Sequence, residues 1–311
     1  MDVLLDILDT FVFDRLYALV WPDAFATYDN STVLGTSHLN QNVRLYYPLE
    51  PSPWAEASRF KRDDLVRQSL SLFLLIWGFG MAMYLVGSFI LYHTLFDKRL
   101  LQHPRYLPNQ IRQEIHQGLS AMPVMAVLTV PFFIAEIRGW SKLYDFSGDS
   151  PFWGYTLLQY PLFVCFTDSG IYWIHRGLHH PLVYRWLHKP HHKWVVPTPY
   201  ASYAFHPLDG WAQSLPYHIF PFIFPLQKCA YLGLFTFVTM WTLLIHDAEY
   251  LATSEIINSA SCHTMHHLYF NYNYGQYITF WDRIGGTYRR PEADNYMQKH
   301  QNSAKIAAKV E

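Results

Sequence analysis

Long apolar stretches dominate this chain, and the spacing of their polar interruptions predicts helices of two kinds. Between Gln68 and Phe96 no Asp, Glu, Lys or Arg occurs, and the segment LSLFLLIWGFGMAMYLVGSFIL can cross a bilayer, which takes about 20 apolar residues. A second uncharged run covers Gln117 to Ala135, with Pro123 and Pro131 tolerable in a helix that its neighbours support. A third runs from Pro151 to Thr167 and continues past Asp168 through IYWI. The region from Trp211 to Ile245 is interrupted only by His218 and Lys228, with Pro216, Pro221 and Pro225 breaking its first half, and predicts a helical hairpin. The N-terminal stretch MDVLLDILDTFVFDRLYALVWP is of the second kind. Val3, Leu4, Ile7, Leu8, Phe11, Val12 and Leu16 recur at helical spacing among acidic residues, which fits an amphipathic helix on a membrane surface and a core helix equally. Its acids stand where a cleaved secretory signal carries bases, so it is read as retained.

The pattern predicts an all-α integral membrane protein of about four transmembrane helices, with a hairpin among them. Residues 1–66 form a lumenal or interfacial segment, 67–174 carry transmembrane helices, 175–290 are rich in histidine and include the hairpin at about 211–245, and 291–311 form a polar tail. Composition agrees: charged residues are 15% against about 25% in soluble domains, and aromatic residues reach 18%. Lys98, Arg99, Arg105 and Arg112 follow the first span and mark that loop as cytosolic. The N-terminal region is then lumenal, where Asn30-Ser31-Thr32 is a glycosylation sequon, and the histidine region and tail are cytosolic. A net charge of −1 gives no reason to expect nucleic acid, and Cys165, Cys229 and Cys262 form no disulfide framework.

Most of the 17 histidines fall between His175 and His267, in three boxes: HRGLH with His175 and His179, HKPHH with His188, His191 and His192, and HTMHH with His263, His266 and His267. Residues three and four apart share a helix face, so the rings of each box can point one way. One structural ion takes four ligands, so eight imply two metals or large redundancy. Acidic residues are sparse there (Asp209, Asp247, Glu249 and Glu255), which excludes calcium and magnesium and leaves iron, zinc, copper or nickel. The Glu-x-x-His pattern of soluble di-iron bundles is absent. His246, in IHDAEY, can complete the shell, while His180 lies off the ligating face and His206 and His218 are expected to support it.

HRGLHHP, HKPHHKW, FHPLDGWAQSLPYH and HTMHHLYFNYNYGQYITFWDRIGG closely resemble the fungal C-5 sterol desaturases, membrane members of the fatty acid hydroxylase superfamily, over roughly residues 65–290. The resemblance implies an enzyme of the endoplasmic reticulum membrane, with a cytosolic helical cap holding two Fe ions in a non-haem centre. It implies O2 as co-substrate, electrons from NADH through cytochrome b5 and its reductase, and a new double bond between carbons 5 and 6 of a Δ7 sterol. The eight box histidines match the family's ligands as its catalytic metal set, and His246 matches a further histidine of the family. IHDAEY departs from the more usual H-D-G at Ala248. The chain has no nucleotide- or haem-binding motif, so electrons come from a partner. Arg176, Arg185, Lys189 and Lys193 can dock an acidic carrier, though positive-inside loops explain them too. Tyr269, Phe270, Tyr272 and Tyr274 can line a sterol pocket or anchor at the interface. Two other readings stand beside this one. A sterol C-4 methyl oxidase or lipid hydroxylase shares the boxes, and a histidine-rich metal transporter would place ligands inside its spans.

Overall fold

The computed structural model describes residues 1–23, 52–247 and 254–291. The Asn30 sequon, Ala248 and the tail beyond residue 291 lie outside the described residues. Ten α-helices are described: α1 (Asp2–Leu8), α2 (Asp14–Val20), α3 (Leu65–Thr94), α4 (Gln110–Ile137), α5 (Tyr155–Leu178), α6 (Pro181–Leu187), α7 (Pro207–Ile223), α8 (Lys228–Leu244), α9 (Ala260–Tyr269) and α10 (Phe280–Ile284). The protein is mostly helical. The only described sheet is a pair of two-residue parallel strands, β1 (Leu143–Tyr144) and β2 (Leu226–Gln227), which the sequence did not announce. Helices α3 and α4 are long and apolar enough to cross a membrane. The expected hairpin is present as α7 and α8, joined through β2.

Local chemistry explains where these helices begin. The Asp64 carboxylate accepts from the N–H groups of Val66 (2.8 Å) and Arg67 (3.1 Å) and so caps α3. His180 and His206 act alike: their Nδ1 atoms accept from the N–H of Leu182 and Leu208 at 3.4 and 3.3 Å, each ahead of a proline that opens a helix, α6 or α7. Two of the three histidines here that stand outside the candidate ligand set therefore have a helix-capping role that sequence spacing did not reveal.

The chain divides into two compact units, and the long helices contribute residues to both. The first comprises Met1–Phe79, Ala126–Thr156 and Pro221–Leu232. Its interior is charged. Arg62 Nε donates to Asp14 (3.0 Å), Arg67 Nη2 donates to Asp9 (2.9 Å), and all four side chains are at most 5% exposed. Tyr17 Oη donates to the Arg67 carbonyl and accepts from Ser71, fastening α2 to the first turns of α3. A π-helical turn, Asp9–Phe13, separates α1 from α2 and keeps Asp9, Phe13 and Asp14 facing inward. Buried carboxylates left without their cation are costly, so Arg67→Met should lower stability by about 3–5 kcal/mol. Thermal unfolding of the detergent-solubilised protein, followed by circular dichroism, measures this; an unchanged midpoint would deny the cluster a structural role.

The second unit comprises Gly80–Met125, Leu157–Phe220 and Gly233–Glu311 and contains every histidine of the three boxes. Residues 194–205, which follow the second box, are held by α3 and α4. Tyr84 Oη donates to the Tyr200 carbonyl (2.9 Å) and Ser88 Oγ to that of Pro199 (3.1 Å). Glu114, fully buried, accepts from Gln110 (2.7 Å) and from the Thr198 hydroxyl, and Gln110 also donates to the Val196 carbonyl. Trp194, fully buried, donates to the Ala204 carbonyl at 3.1 Å.

Candidate metal centre

The boxes come together, but not box by box. Two sets of four histidines form, each with its ligand atoms within 4.8 Å of one another: His175, His179, His188 and His266 in the first, and His191, His246, His263 and His267 in the second. His192 belongs to neither set yet touches both. Its Nε2 lies 3.1 Å from His179 Nε2, and its ring centroid is 4.7 Å from that of His266 and 5.0 Å from that of His267. All nine candidate ligands, His246 included, are thus in one cluster.

The expectation that each H-x-x-H-H box points one way is overturned, for a physical reason in each case. In HKPHH, Pro190 has no N–H for the next turn and disfavours helical backbone at Lys189, and here α6 stops at Leu187, His188 is its C-cap, and His191 and His192 lie in the turn beyond. His188 consequently joins the first set and His191 the second. In HTMHH the residues do lie on a helix, α9, where His266 and His267 are neighbours about 100° apart around the axis. His263 and His267, four apart, share the second set, and His266 turns to the first.

In five of the rings the other nitrogen is oriented by a fixed acceptor. His175 Nδ1 donates to the Tyr274 carbonyl (3.0 Å), His266 Nδ1 to Tyr272 (2.8 Å), His246 Nδ1 to Thr242 (2.7 Å) and His191 Nδ1 to Ala204 (3.4 Å). His188 Nδ1 lies 2.7 Å from Asp209 Oδ2, and both side chains are fully buried. These partners place the proton on Nδ1 and leave the Nε2 lone pair turned inward, as metal-bound histidines require. Between rings so fixed, lone pairs face each other at short range, 3.0 Å for His175 and His188 and 3.4 Å for His246 and His191, and His263 Nε2 lies 2.9 Å from His246 Nε2 and 3.1 Å from His267 Nε2. Two such nitrogens repel unless a cation lies between them. Nitrogens about 2.1 Å from one ion are about 3.0–3.4 Å apart, so the spacing fits shared coordination. His266 Nε2 is buried with no hydrogen-bond partner, which also fits a nitrogen reserved for a metal.

Burial, reinforced by neighbouring imidazoles, pushes His191, His192, His263, His266 and His267 well below the ordinary histidine range. Burial takes His179 down to about 3 and His246 to about 4. These seven rings are therefore neutral at physiological pH. In metal-free protein the sign of the pH effect follows: unfolded rings take protons below about 6.5 and folded rings resist until far lower, so stability falls as pH drops through that value. Metal-free protein should melt at a lower temperature at pH 5.5 than at pH 7.5, and a higher melting point at pH 5.5 would contradict the burial of neutral rings.

The loop NYNYGQ supplies much of this support. Asp282 accepts from the N–H groups of Tyr274 and Gly275 (both 2.8 Å), and Asp168 on α5 accepts from those of Gln276 (3.1 Å) and Tyr277 (2.6 Å). Phe270 and Asn273 adopt left-handed backbone, with φ of 63° and 58°, ending α9 and turning the loop back. Asn273 holds that turn by donating to the carbonyls of Cys262 and Arg289. Asp209, Asp168 and Asp282 are the functional residues that sequence reasoning missed. Asp209 lies in FHPLDG, where sequence alone marks it only as one of the few acids of the region. Asp209→Asn is expected to weaken metal affinity about 10–100-fold, measured by metal titration with helix content unchanged; an undiminished affinity would remove Asp209 from the site.

Of the four aromatics expected to line a pocket, Tyr274 is buried against the rings of His175, His179 and His266, and Phe270 lies 4.9 Å from His192. Tyr269 and Tyr272 are instead stacked with the Arg289 guanidinium. Among the expected docking cations, Arg176 is tied to the Tyr172 hydroxyl and the Gly285 carbonyl, and Lys193 donates to Gln113.

Clustered, carbonyl-oriented histidines stand on a helical scaffold here, and residues 160–287 match the fatty acid hydroxylase family. The chain is 59% identical to the Delta(7)-sterol 5(6)-desaturase erg3B of Aspergillus fumigatus over 314 residues, covering 100% of this chain and 92% of that protein. It is 50% identical to the Delta(7)-sterol 5(6)-desaturase of Leptosphaeria maculans over 316 residues, 96% of this chain and 89% of that one. No solved structure matches. The chain belongs to the C-5 sterol desaturases of the fatty acid hydroxylase family.

Proposed function

We propose that this protein is a membrane desaturase that introduces the C5–C6 double bond into a Δ7 sterol in ergosterol-type biosynthesis. The single observation that carries the reading is the paired four-histidine sets, in a chain so close to proteins named for this reaction. Nine imidazoles, with no carboxylate in either set among the described residues, suit two iron ions, with His175, His179, His188 and His266 holding one, His191, His246, His263 and His267 the other, and His192 between them. With O2, such a pair supplies an oxidant able to take hydrogen from unactivated carbons. The balance closes as sterol, O2, NADH and a proton giving the Δ5,7 sterol, two waters and NAD+: two electrons come from the new double bond and two from NADH.

The chain's own residues do the rest. Asp209 and the carbonyls of Thr242, Ala204, Tyr272 and Tyr274 keep the rings oriented, and the buried surroundings hold them neutral and exclude water. Electrons arrive from cytochrome b5 and its reductase, docked beside the exposed Arg185 and Lys189. Helices α3, α4 and α5 and the α7–α8 hairpin hold the protein in the endoplasmic reticulum membrane with the histidines toward the cytosol.

The test is sterol turnover in membranes supplied with a Δ7 sterol, NADH and O2, with and without this protein. A new conjugated diene, visible by its ultraviolet absorption, is expected. A hydroxylated or 4-demethylated sterol without diene would instead assign the hydroxylase or C-4 methyl oxidase chemistry.

A further inference from the structure

The N-terminal helices are inside out relative to a protein in water. On α1 and α2 the acids Asp2, Asp6, Asp9 and Asp14 are buried, at most 7% exposed, whereas Phe11 (67%), Val12 (48%), Leu16 (43%), Leu19 (65%) and Val20 (53%) are exposed. The exposed positions 11, 12, 15, 16, 19 and 20 form one stripe at helical spacing, and the inward positions 9, 13, 14, 17 and 18 form the opposite one. A helix at a water surface shows the reverse, with its polar face outward. Burying carboxylates and guanidiniums costs several kcal/mol per ion unless they are paired; Arg62 and Arg67 pair Asp6, Asp9 and Asp14 here, and Lys228 pairs Asp2. That arrangement is favoured only if the outer face meets something less polar than water.

We infer that the outer face of residues 9–21 lies in the lipid leaflet, as an interfacial anchor clamped to the start of α3 by the buried aspartate–arginine cluster. The inference rests on the membrane reading of the chain given above. Three features favour lipid over a second copy of the chain. The first turns of α3, to which Tyr17 fastens α2, leave Leu65, Val66 and Leu70 exposed, so the apolar surface continues onto a helix built to cross a membrane. The one charge in the stripe is Arg15, exposed, whose long apolar stem lets a cation reach a phosphate headgroup. Trp21 closes the helix 41% exposed, against Tyr17 and Phe60, the position that amphipathic rings take at a bilayer boundary. Such helices lie about 5–10 Å into the boundary between headgroup and acyl chain.

Nitroxide labels on single cysteines in the full chain test this, in proteoliposomes of phosphatidylcholine with anionic phosphatidylglycerol. Cys165→Ser and Cys229→Ser remove the exposed thiols, buried Cys262 is left, and Leu16→Cys and Leu19→Cys carry the label; Val12→Cys and Val20→Cys form a second pair should either fail to insert. Phe89→Cys on the exposed face of α3 reports the membrane itself. Oxygen is expected to relax the labels on the N-terminal helix several-fold more than a water-soluble nickel chelate does, as at position 89. Nickel access at 16 and 19 with oxygen access at 89 would overturn the inference alone. Nickel access at all three would overturn the membrane reading with it. Dipolar broadening at 16 or 19 that disappears on dilution with unlabelled chain would show a second copy on this face and overturn the lipid assignment.

Discussion

His266→Ala is expected to abolish diene formation, a loss of at least about a thousandfold, and to release the metal of the first histidine set while sparing the second. His191→Ala should do the converse, removing metal from the second set with the same loss of turnover. The asymmetry follows from geometry: His266 sits with His175, His179 and His188, and His191 with His246, His263 and His267. Both variants should remain in the membrane, because each removes one ring from a cluster whose scaffold is fixed elsewhere, by Asp168, Asp282 and the Glu114 network. Metal analysis of the purified protein beside sterol turnover checks both halves. Full turnover in either variant would refute the assignment of the sets, and loss of all metal from both would show one inseparable centre.

Much of this site was legible because histidine is rare and its spacing carries information. The residues that cluster could be read from the three boxes, and His246 from its position before Asp247 at the end of an apolar run. How the ligands are shared between the sets could not. It depends on Pro190 stopping α6 ahead of His191 and on the 100° step between His266 and His267, so a spacing rule that assumes one continuous helix face fails in both boxes. The orienting groups were hidden for another reason. Four are backbone carbonyls, which leave no mark in side-chain identity, and the fifth, Asp209, meets His188 across 21 residues of sequence.

The N-terminal segment makes the same point about the fold. Its period of 3.6 was plain, yet which stripe faces inward depends on Arg62 and Arg67, more than 45 residues away, and on what surrounds the molecule. Periodicity fixes a helix and its two faces. Only the partners decide which face is the inside.

Gly275→Ala carries the other large expected effect, and it tests whether the NYNYGQ loop positions the metal ligands or merely covers them. A Cβ on Gly275 would stand 2.7 Å from the Ile278 carbonyl oxygen and 3.0 Å from Asp282 Oδ2. The first of these is backbone and cannot rotate away, so the loop itself must shift. Its N–H donates to Asp282 and its carbonyl accepts from Asn258, so the shift breaks the contacts that fix Tyr274 next to it. The Tyr274 carbonyl then leaves His175 Nδ1, and with it goes the constraint that aims Nε2 at the first set. Metal affinity of that set should fall about 10–100-fold, the range for loss of a group that orients a ligand, and turnover should fall with it. The second set, whose His246 and His191 are oriented by Thr242 and Ala204, should keep its metal. Equal weakening of both sets would point to general loosening of the fold. Unchanged affinity in both would mean that the loop only covers the cluster and that the carbonyls beside it are incidental to metal binding.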